Sequence, residues 1–65
     1  MKVRVNQIAQ ELPAGSSLQD LLLALEFKPP YAVARNLHFV PKTQYATTPL
    51  QEGDQIEVIS PITGG

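Results

Sequence analysis

The chain has 65 residues, a net charge of −1 and no cysteine. A chain this short forms one small domain that buries only about 60% of its unfolded surface. The lack of cysteine excludes disulfides, thiolate metal sites and a cysteine nucleophile within the chain. There is no basic cluster for nucleic acid and no apolar run near the roughly 20 residues that span a bilayer. We therefore expect a cytoplasmic protein with no nucleic-acid or membrane partner.

The first twelve residues have the pattern of a β-hairpin. Apolar and polar side chains alternate over residues 1–5, which is the period of a half-buried strand. Asn6-Gln7 suits a tight turn, and a second strand runs from Ile8 to Leu12. Residues 13–15, Pro-Ala-Gly, then end the hairpin.

One amphipathic helix follows the hairpin. Ser17 is a good N-cap, and Asp20 stands three residues later, as in a capping box. Four leucines then recur with helical spacing on one face: Leu18, Leu21, Leu22 and Leu25. The spacing predicts that this face is core, and that the helix ends near Phe27, before Pro29-Pro30.

Two strand-like segments come next. Residues 31–35 predict a third strand, in which small alanines would let the helix pack closely on the sheet. Asn36 favours a turn, and Phe39-Val40 is a short apolar segment. Pro41 ends that segment and suits the edge of a sheet.

The last part of the chain predicts a loop, a turn and a final strand. Residues 42–49 indicate a loop or short helical turn, residues 50–54 a turn containing glycine, and residues 55–59 the last strand. Three acids near that turn are interpreted as solvated: Glu52, Asp54 and Glu57. One helix and four or five strands predict a two-layer α+β domain over residues 1–59.

Residues 60–65 follow this domain as an expected flexible tail that ends in Gly64-Gly65. Glycine has no Cβ, so such a tail fits a channel too narrow for other residues. Six extended residues reach roughly 20 Å. The only histidine, His38, has no companion that suggests catalysis or a metal site, and there is no phosphate-binding loop. We therefore expect chemistry at the tail, no bound cofactor, and any ATP to be held by a partner.

Several motifs together resemble one family. They are Val33-Ala34-Arg35-Asn36, Val40-Pro41-Lys42, the pattern Leu50-x-x-Gly53-Asp54-x-Ile56-Glu57-Val58-Ile59, and the final Gly64-Gly65. This combination resembles the sulfur carrier proteins of thiamine biosynthesis, the ThiS family, and the resemblance extends over nearly the whole chain. It implies a ubiquitin-like β-grasp fold, in which a mixed sheet of four to five strands packs on one helix.

The resemblance also implies a reaction cycle in which the chain is a cosubstrate and not an enzyme. An E1-like adenylyltransferase would use ATP to form an acyl-adenylate at the Gly65 carboxylate. A persulfide from a sulfur donor enzyme would displace AMP and leave a thiocarboxylate, whose sulfur thiazole synthase would accept. Gly65 is then the modified residue, and the tail residues that enter the partner's channel are Gly64, Thr63 and Ile62.

Two other functions stay open at this point. Thr63 stands where many members of the family have a third glycine, and the end of the chain also resembles the small subunit of molybdopterin synthase, another β-grasp sulfur carrier. A ubiquitin-like interaction domain with an inert tail is the alternative from a different class, but a Gly-Gly end argues against it.

Overall fold

The computed structural model describes residues 1–60, and within them one α-helix packs on one face of a five-stranded sheet. The elements in chain order are β1 (Lys2–Val5), β2 (Ile8–Glu11), α1 (Leu18–Ala24), β3 (Ala32–Arg35), β4 (His38–Val40), a 3-10 turn (Lys42–Gln44) and β5 (Gln55–Ile59). The predicted α+β architecture is thus confirmed, with β4 at an edge as expected.

The last strand lies at the centre of the sheet. The strand order is β2-β1-β5-β3-β4. β5 runs parallel to β1, with Val5 opposite Ile56, and antiparallel to β3, with Val33 opposite Val58. Both hairpins therefore pair with β5, the last of these five strands in the sequence.

The core lies between the sheet and the leucine face of α1. Leu18, Leu21 and Leu22 are buried as predicted. The sheet contributes these buried side chains: Val3, Val5, Val33, Val40, Ile56 and Val58.

The alanines of β3 do not lie against the helix. Side chains alternate between the faces of a strand, and Val33 is the buried residue of this segment, whereas Ala32 is exposed and Ala34 half-buried. The two alanines therefore lie on the face of the sheet opposite the helix, which we call the open face. The prediction that they let the helix approach is wrong.

The helix begins where the sequence predicts. The Ser17 hydroxyl accepts a hydrogen bond from the Asp20 N–H at 3.1 Å, and the Asp20 carboxylate accepts one from the Ser17 N–H at 2.9 Å. The N–H of Leu18 donates to the carbonyl oxygen of Thr48 at 2.8 Å. The capping box and the loop thus satisfy donors that the first helical turn leaves free.

The helix ends at Ala24, earlier than the predicted end near Phe27. Glu26 has φ +60°, and its N–H donates to the Leu23 carbonyl oxygen, while the Phe27 N–H donates to that of Leu22. These bonds form a Schellman motif, in which the left-handed position is usually glycine. The helix is therefore ended by its own C-cap and not by the prolines beyond it.

Both hairpin turns have positive φ at their two central residues. The φ angles are 50° and 70° at Asn6 and Gln7, and 50° and 71° at Asn36 and Leu37. Such values are those of a type I′ turn, which favours Asn first and Gly second. A residue with a Cβ in this conformation costs about 1–2 kcal/mol. Gln7 and Leu37 both carry that cost.

Replacing Glu26 by glycine is expected to stabilise the fold by about 1 kcal/mol, because it removes the Cβ from a left-handed position and a negative charge from a helix C-terminus. Urea unfolding of Glu26→Gly measures the gain. Glu26→Ala removes the charge but keeps the Cβ, so it should gain much less. Equal gains in the two variants would show that charge, not backbone conformation, is the cause.

Candidate functional site

The candidate site begins where β5 leaves the sheet. The site residues that the sequence predicts, Ile62, Thr63, Gly64 and Gly65, lie outside the described residues, as does the expected flexibility of the tail beyond Ser60. The structure describes the platform from which they extend. Ile59, the last residue of β5, is opposite Ala32 and 62% exposed.

Asn6 holds the carboxyl end of β5 through its side chain. Its backbone N–H donates to the Ile56 carbonyl oxygen at 2.9 Å, which is the last regular bond of the parallel ladder. Its Oδ1 then accepts from the Val58 N–H at 2.9 Å, and its Nδ2 donates to the Val58 carbonyl oxygen at 3.3 Å. The side-chain amide thus takes the place of the next residue of β1, which turns away at this point.

Asn36 and Asp54 hold the amino end of the same strand. Asn36 accepts from the Gln55 N–H at Oδ1 (2.9 Å) and donates from Nδ2 to Asp54 Oδ1 (3.0 Å). Asp54 Oδ2 accepts from the Arg35 Nε–H at 2.9 Å and from the Gln51 N–H at 2.8 Å. One carboxylate therefore joins the β3–β4 turn to the turn before β5.

The interpretation of Asp54 as a solvated acid is wrong. Asp54 is only 5% exposed and not a solvated turn acid. Burial by itself raises the pKa of Asp54, but hydrogen bonds from the Gln51 N–H and from Asn36 and Arg35, together with the Arg35 charge, outweigh burial and hold the pKa below its usual value. The carboxylate is therefore ionised and structural.

The sequence indicates that Asn6 and Asn36 form turns but not that they bind β5. An Asn at the first position of a type I′ turn is a local signal. The contact between each Asn side chain and a strand up to about fifty residues away depends on the strand order, which local patterns do not contain. The role of Asp54 is not apparent from the sequence for the same reason, because Arg35 and Asn36 lie in β3 and in the turn after it.

A shallow cleft lies beside the aromatic residues. It has a volume of about 340 Å³ and is lined by Gln19, Pro29, Pro30, Tyr31, Lys42 and Tyr45. Tyr45 is buried and stacks on Tyr31 with 6.1 Å between ring centroids. Burial, and secondarily Tyr31, raises the pKa of Tyr45, so its hydroxyl stays protonated at neutral pH. Tyr45 therefore belongs to the core, and the partly buried Tyr31 packs against it.

Residues 1–60 contain no group of three or more side chains arranged to hold a metal ion, and His38 is exposed. No helix within that range has the length and apolar character to cross a membrane.

We expect Asn6→Gly to loosen the end of β5 while leaving the hairpin turn intact, since glycine adopts positive φ freely. The loss of two hydrogen bonds should lower the free energy of unfolding by about 1–2 kcal/mol. Hydrogen exchange at the Val58 amide should become faster. Gln7→Gly, at the next position of the same turn, is the matched control and should leave Val58 protected. Unchanged exchange in Asn6→Gly would mean that its side chain does not hold the strand.

The Asp54 carboxylate is expected to stabilise the fold only when ionised. Its pKa in the folded state is lower than the value of about 3.9 in an unfolded chain. The folded state therefore binds fewer protons, so this stabilisation is present above pH 4 and is lost as pH falls through the folded-state pKa.

Asp54→Asn should consequently lower the free energy of unfolding by about 1–3 kcal/mol at pH 7. The difference in this free energy from wild type should narrow as the pH falls below about 4. Urea unfolding across this pH range measures the gap. The exposed Glu57→Gln is the control, with a smaller and less pH-dependent effect expected. A constant gap for Asp54→Asn would show that the ion pair contributes nothing.

Comparison with known proteins identifies the family. The model of the ThiS family matches residues 3–65. The sulfur carrier protein ThiS of Escherichia coli K12 is 35% identical over 66 residues, covering 100% of both chains. A crystal structure of the thiamine biosynthesis protein ThiS from Geobacter metallireducens superposes with a TM-score of 0.85 over 100% of both chains, at 22% identity, which confirms the β-grasp fold.

Two further relatives are longer proteins. A thiazole synthase of Magnetococcus marinus is 42% identical over 66 residues, and one of Paramagnetospirillum magneticum is 34% identical over 67 residues. The whole chain is matched in both cases, but it spans only about a fifth (20%) of each synthase. From the family model and the full-length E. coli relative, we conclude that this chain belongs to the ThiS family.

Proposed function

We propose that the protein is the sulfur carrier of thiamine biosynthesis, a cosubstrate whose Gly65 carboxylate carries the sulfur. The observation that supports this most directly is the match along the whole length of the E. coli sulfur carrier, with the family model extending to Gly65. Among the alternatives, the molybdopterin-type carrier and the inert interaction domain have no comparable support.

The carboxylate needs activation before sulfur can be attached to it. An E1-like adenylyltransferase transfers AMP from ATP to Gly65 and releases pyrophosphate. The terminal sulfur of a persulfide on a donor enzyme attacks the acyl carbon and expels AMP. A second thiol then cleaves the S–S bond, supplying the electron pair that leaves the thiocarboxylate. ATP belongs to the partner in this scheme, and these steps suit a reducing cytoplasm.

The folded domain fixes the point from which the tail starts, and the tail is long enough to extend into a partner's active site. β5 is held at both ends by side-chain amides, so the tail starts from a fixed point at the edge of the core. Six extended residues can carry the carboxylate roughly 20 Å into a partner. Gly64 and Gly65 have no bulky side chains, so they can enter a narrow channel in the partner. Ile62 and Thr63 would then lie at the entrance of that channel.

Thiazole synthase is the partner that receives the sulfur. The relatives named thiazole synthase contain, within one polypeptide, a region similar to this entire chain. A region joined covalently to the enzyme is held near it at high effective concentration. A separate carrier must instead find the synthase by binding.

Intact-protein mass spectrometry tests this proposal. After incubation with the adenylyltransferase, ATP and a persulfide donor, wild type should gain the mass of one sulfur less one oxygen. Gly64→Val and a chain lacking Gly65 should gain nothing, because the first blocks the channel and the second lacks the reacting group.

Thr63→Gly is the matched control, because it gives the three-glycine end of other family members and should load at least as well as wild type. Melting curves of all four proteins should coincide if the effect is one of access. Loading of Gly64→Val at the wild-type rate would contradict the narrow channel. Loading of wild type only by molybdopterin-pathway enzymes would move the protein to that pathway.

A further inference from the structure

The shallow cleft lined by Tyr31 lies at the end of the sheet from which the tail extends. Ile59 is opposite Ala32 in the antiparallel pair of β5 and β3. The next position of this register places Ser60 beside Tyr31. The register between β3 and β4, continued in the same direction, places Lys42 on the other side of Tyr31. Neighbouring strands are about 4.8 Å apart, so the backbones of Ser60 and Lys42 are separated by about 10 Å.

The cleft and the start of the tail also share one face of the sheet. Side chains alternate between the two faces of a strand. Val33 faces the helix, so Tyr31, two residues earlier, lies on the same side and is partly buried against the core. Val58 occupies that side in β5, and position 60 therefore belongs to it as well. A chain that continues beyond Ser60 starts on the face where the cleft lies and not on the open face.

The cleft combines an apolar wall with one cation. Its volume of about 340 Å³ is at the lower end of the range for ligand sites. Pro29 and Pro30 are exposed along its wall, beside the stacked rings of Tyr31 and Tyr45. Lys42 is the only charged residue among those that line it. Within residues 1–60 Lys42 forms no ion pair, and its side chain is exposed. A complementary ligand is apolar along its length and anionic at one end.

Residues 61–65 have this chemistry in their order along the chain. Pro61-Ile62 is apolar, and the proposed function gives Gly65 a free carboxylate. Five residues span at most about 17 Å, so a bent tail can bring its carboxylate to Lys42. A short tether also gives an effective concentration in the millimolar range. Contacts too weak to capture a separate peptide can therefore hold the tail of the same molecule.

We propose that residues 61–65 fold back into this cleft between reactions, with Ile62 against Tyr31 and Tyr45 and the Gly65 carboxylate on the Lys42 ammonium. This inference rests on the proposed function, which supplies the free carboxylate. A thiocarboxylate is also an anion, so the cleft holds the end of the chain both before and after it receives sulfur.

The docked tail is one state of an exchange, and the expected flexible tail is the other. A partner enzyme takes only the undocked end into its channel. Its apparent affinity is therefore reduced in proportion to the undocked fraction of the carrier. The cleft thus limits access to the reacting end without contributing to the chemistry.

Nuclear Overhauser effects in the full chain test the contact. Wild type should show them between the Ile62 methyl protons and the ring protons of Tyr31 and Tyr45. Lys42→Gln removes the cation and should weaken them about threefold, the effect of losing one exposed ion pair. Lys42→Arg keeps the charge and should match wild type.

Lys2→Gln is the matched control, because it removes an exposed lysine from β1 and should leave these signals unchanged. Melting curves of the variants should coincide with that of wild type, since both lysine side chains are exposed. A sample that mixes isotope-labelled and unlabelled copies separates contacts within one molecule from contacts between two.

Each outcome decides the proposal. Signals within one molecule that weaken in Lys42→Gln but not in Lys42→Arg or Lys2→Gln support it. Their absence in wild type, or equal strength in Lys42→Gln, overturns it, and signals between labelled and unlabelled copies overturn it in favour of the tail of a second copy. Sulfur loading of the same samples is measured separately by mass. Loading without these signals leaves the carrier function standing, whereas the signals without loading support the contact and overturn the carrier function.

Discussion

The position of β5 is the constraint on which the rest of the structure depends. It lies between the two hairpins and pairs with both, so the sheet is continuous only through it. Backbone hydrogen bonds alone do not complete the pairing at either end of β5. β1 turns away near its carboxyl end, and β3 turns away near its amino end. The amides of Asn6 and Asn36 complete the pairing, and each comes from the first position of a type I′ turn. The same two asparagines thus form the hairpin turns and complete the pairing of β5.

This arrangement explains how a small core can support the proposed reacting tail. Within residues 1–60, only eleven hydrophobic side chains are buried, and a domain of this size has little stability to spare. Fixing the last strand by short polar contacts at both ends requires no additional apolar residues. The proposed sulfur chemistry needs the domain to present the tail at a defined point, and the hydrogen bonds to Val58 provide that point.

Much of the fold is predictable from local patterns. Alternation over residues 1–5 and 55–59, the capping box at Ser17 and the two asparagine turns predict elements that the structure contains. These signals depend on neighbours in sequence. The helix end was misplaced because the Schellman motif uses Glu26 where glycine is usual. The sequence signal for this motif is therefore weak. Pro29-Pro30 give a stronger signal, but they lie beyond the end of the helix.

Other errors come from contacts between distant segments. The register between β3 and β5 decides which side chains of β3 face the helix. Val33 faces the helix, and the two alanines lie on the opposite face of the sheet. The burial of Asp54 depends on Arg35 and Asn36, which reach it only once β3 and β5 are paired. The residues of the tail were singled out by their type and by family resemblance, and their roles remain predictions.

The parallel pairing of β1 with β5 also has a consequence for how the protein is made. Val5 and Ile56 are adjacent in space but far apart in the sequence. Non-local pairs of this kind slow folding, because the intervening loop must be closed before they form. A ribosome-bound chain that stops before residue 55 has two hairpins and a helix but no strand to join them. The domain can therefore acquire its native sheet only after translation has passed β5. Residues 61–65, where we propose that the sulfur chemistry takes place, follow β5 closely in the sequence, so this segment and the strand that completes the sheet are made at nearly the same stage.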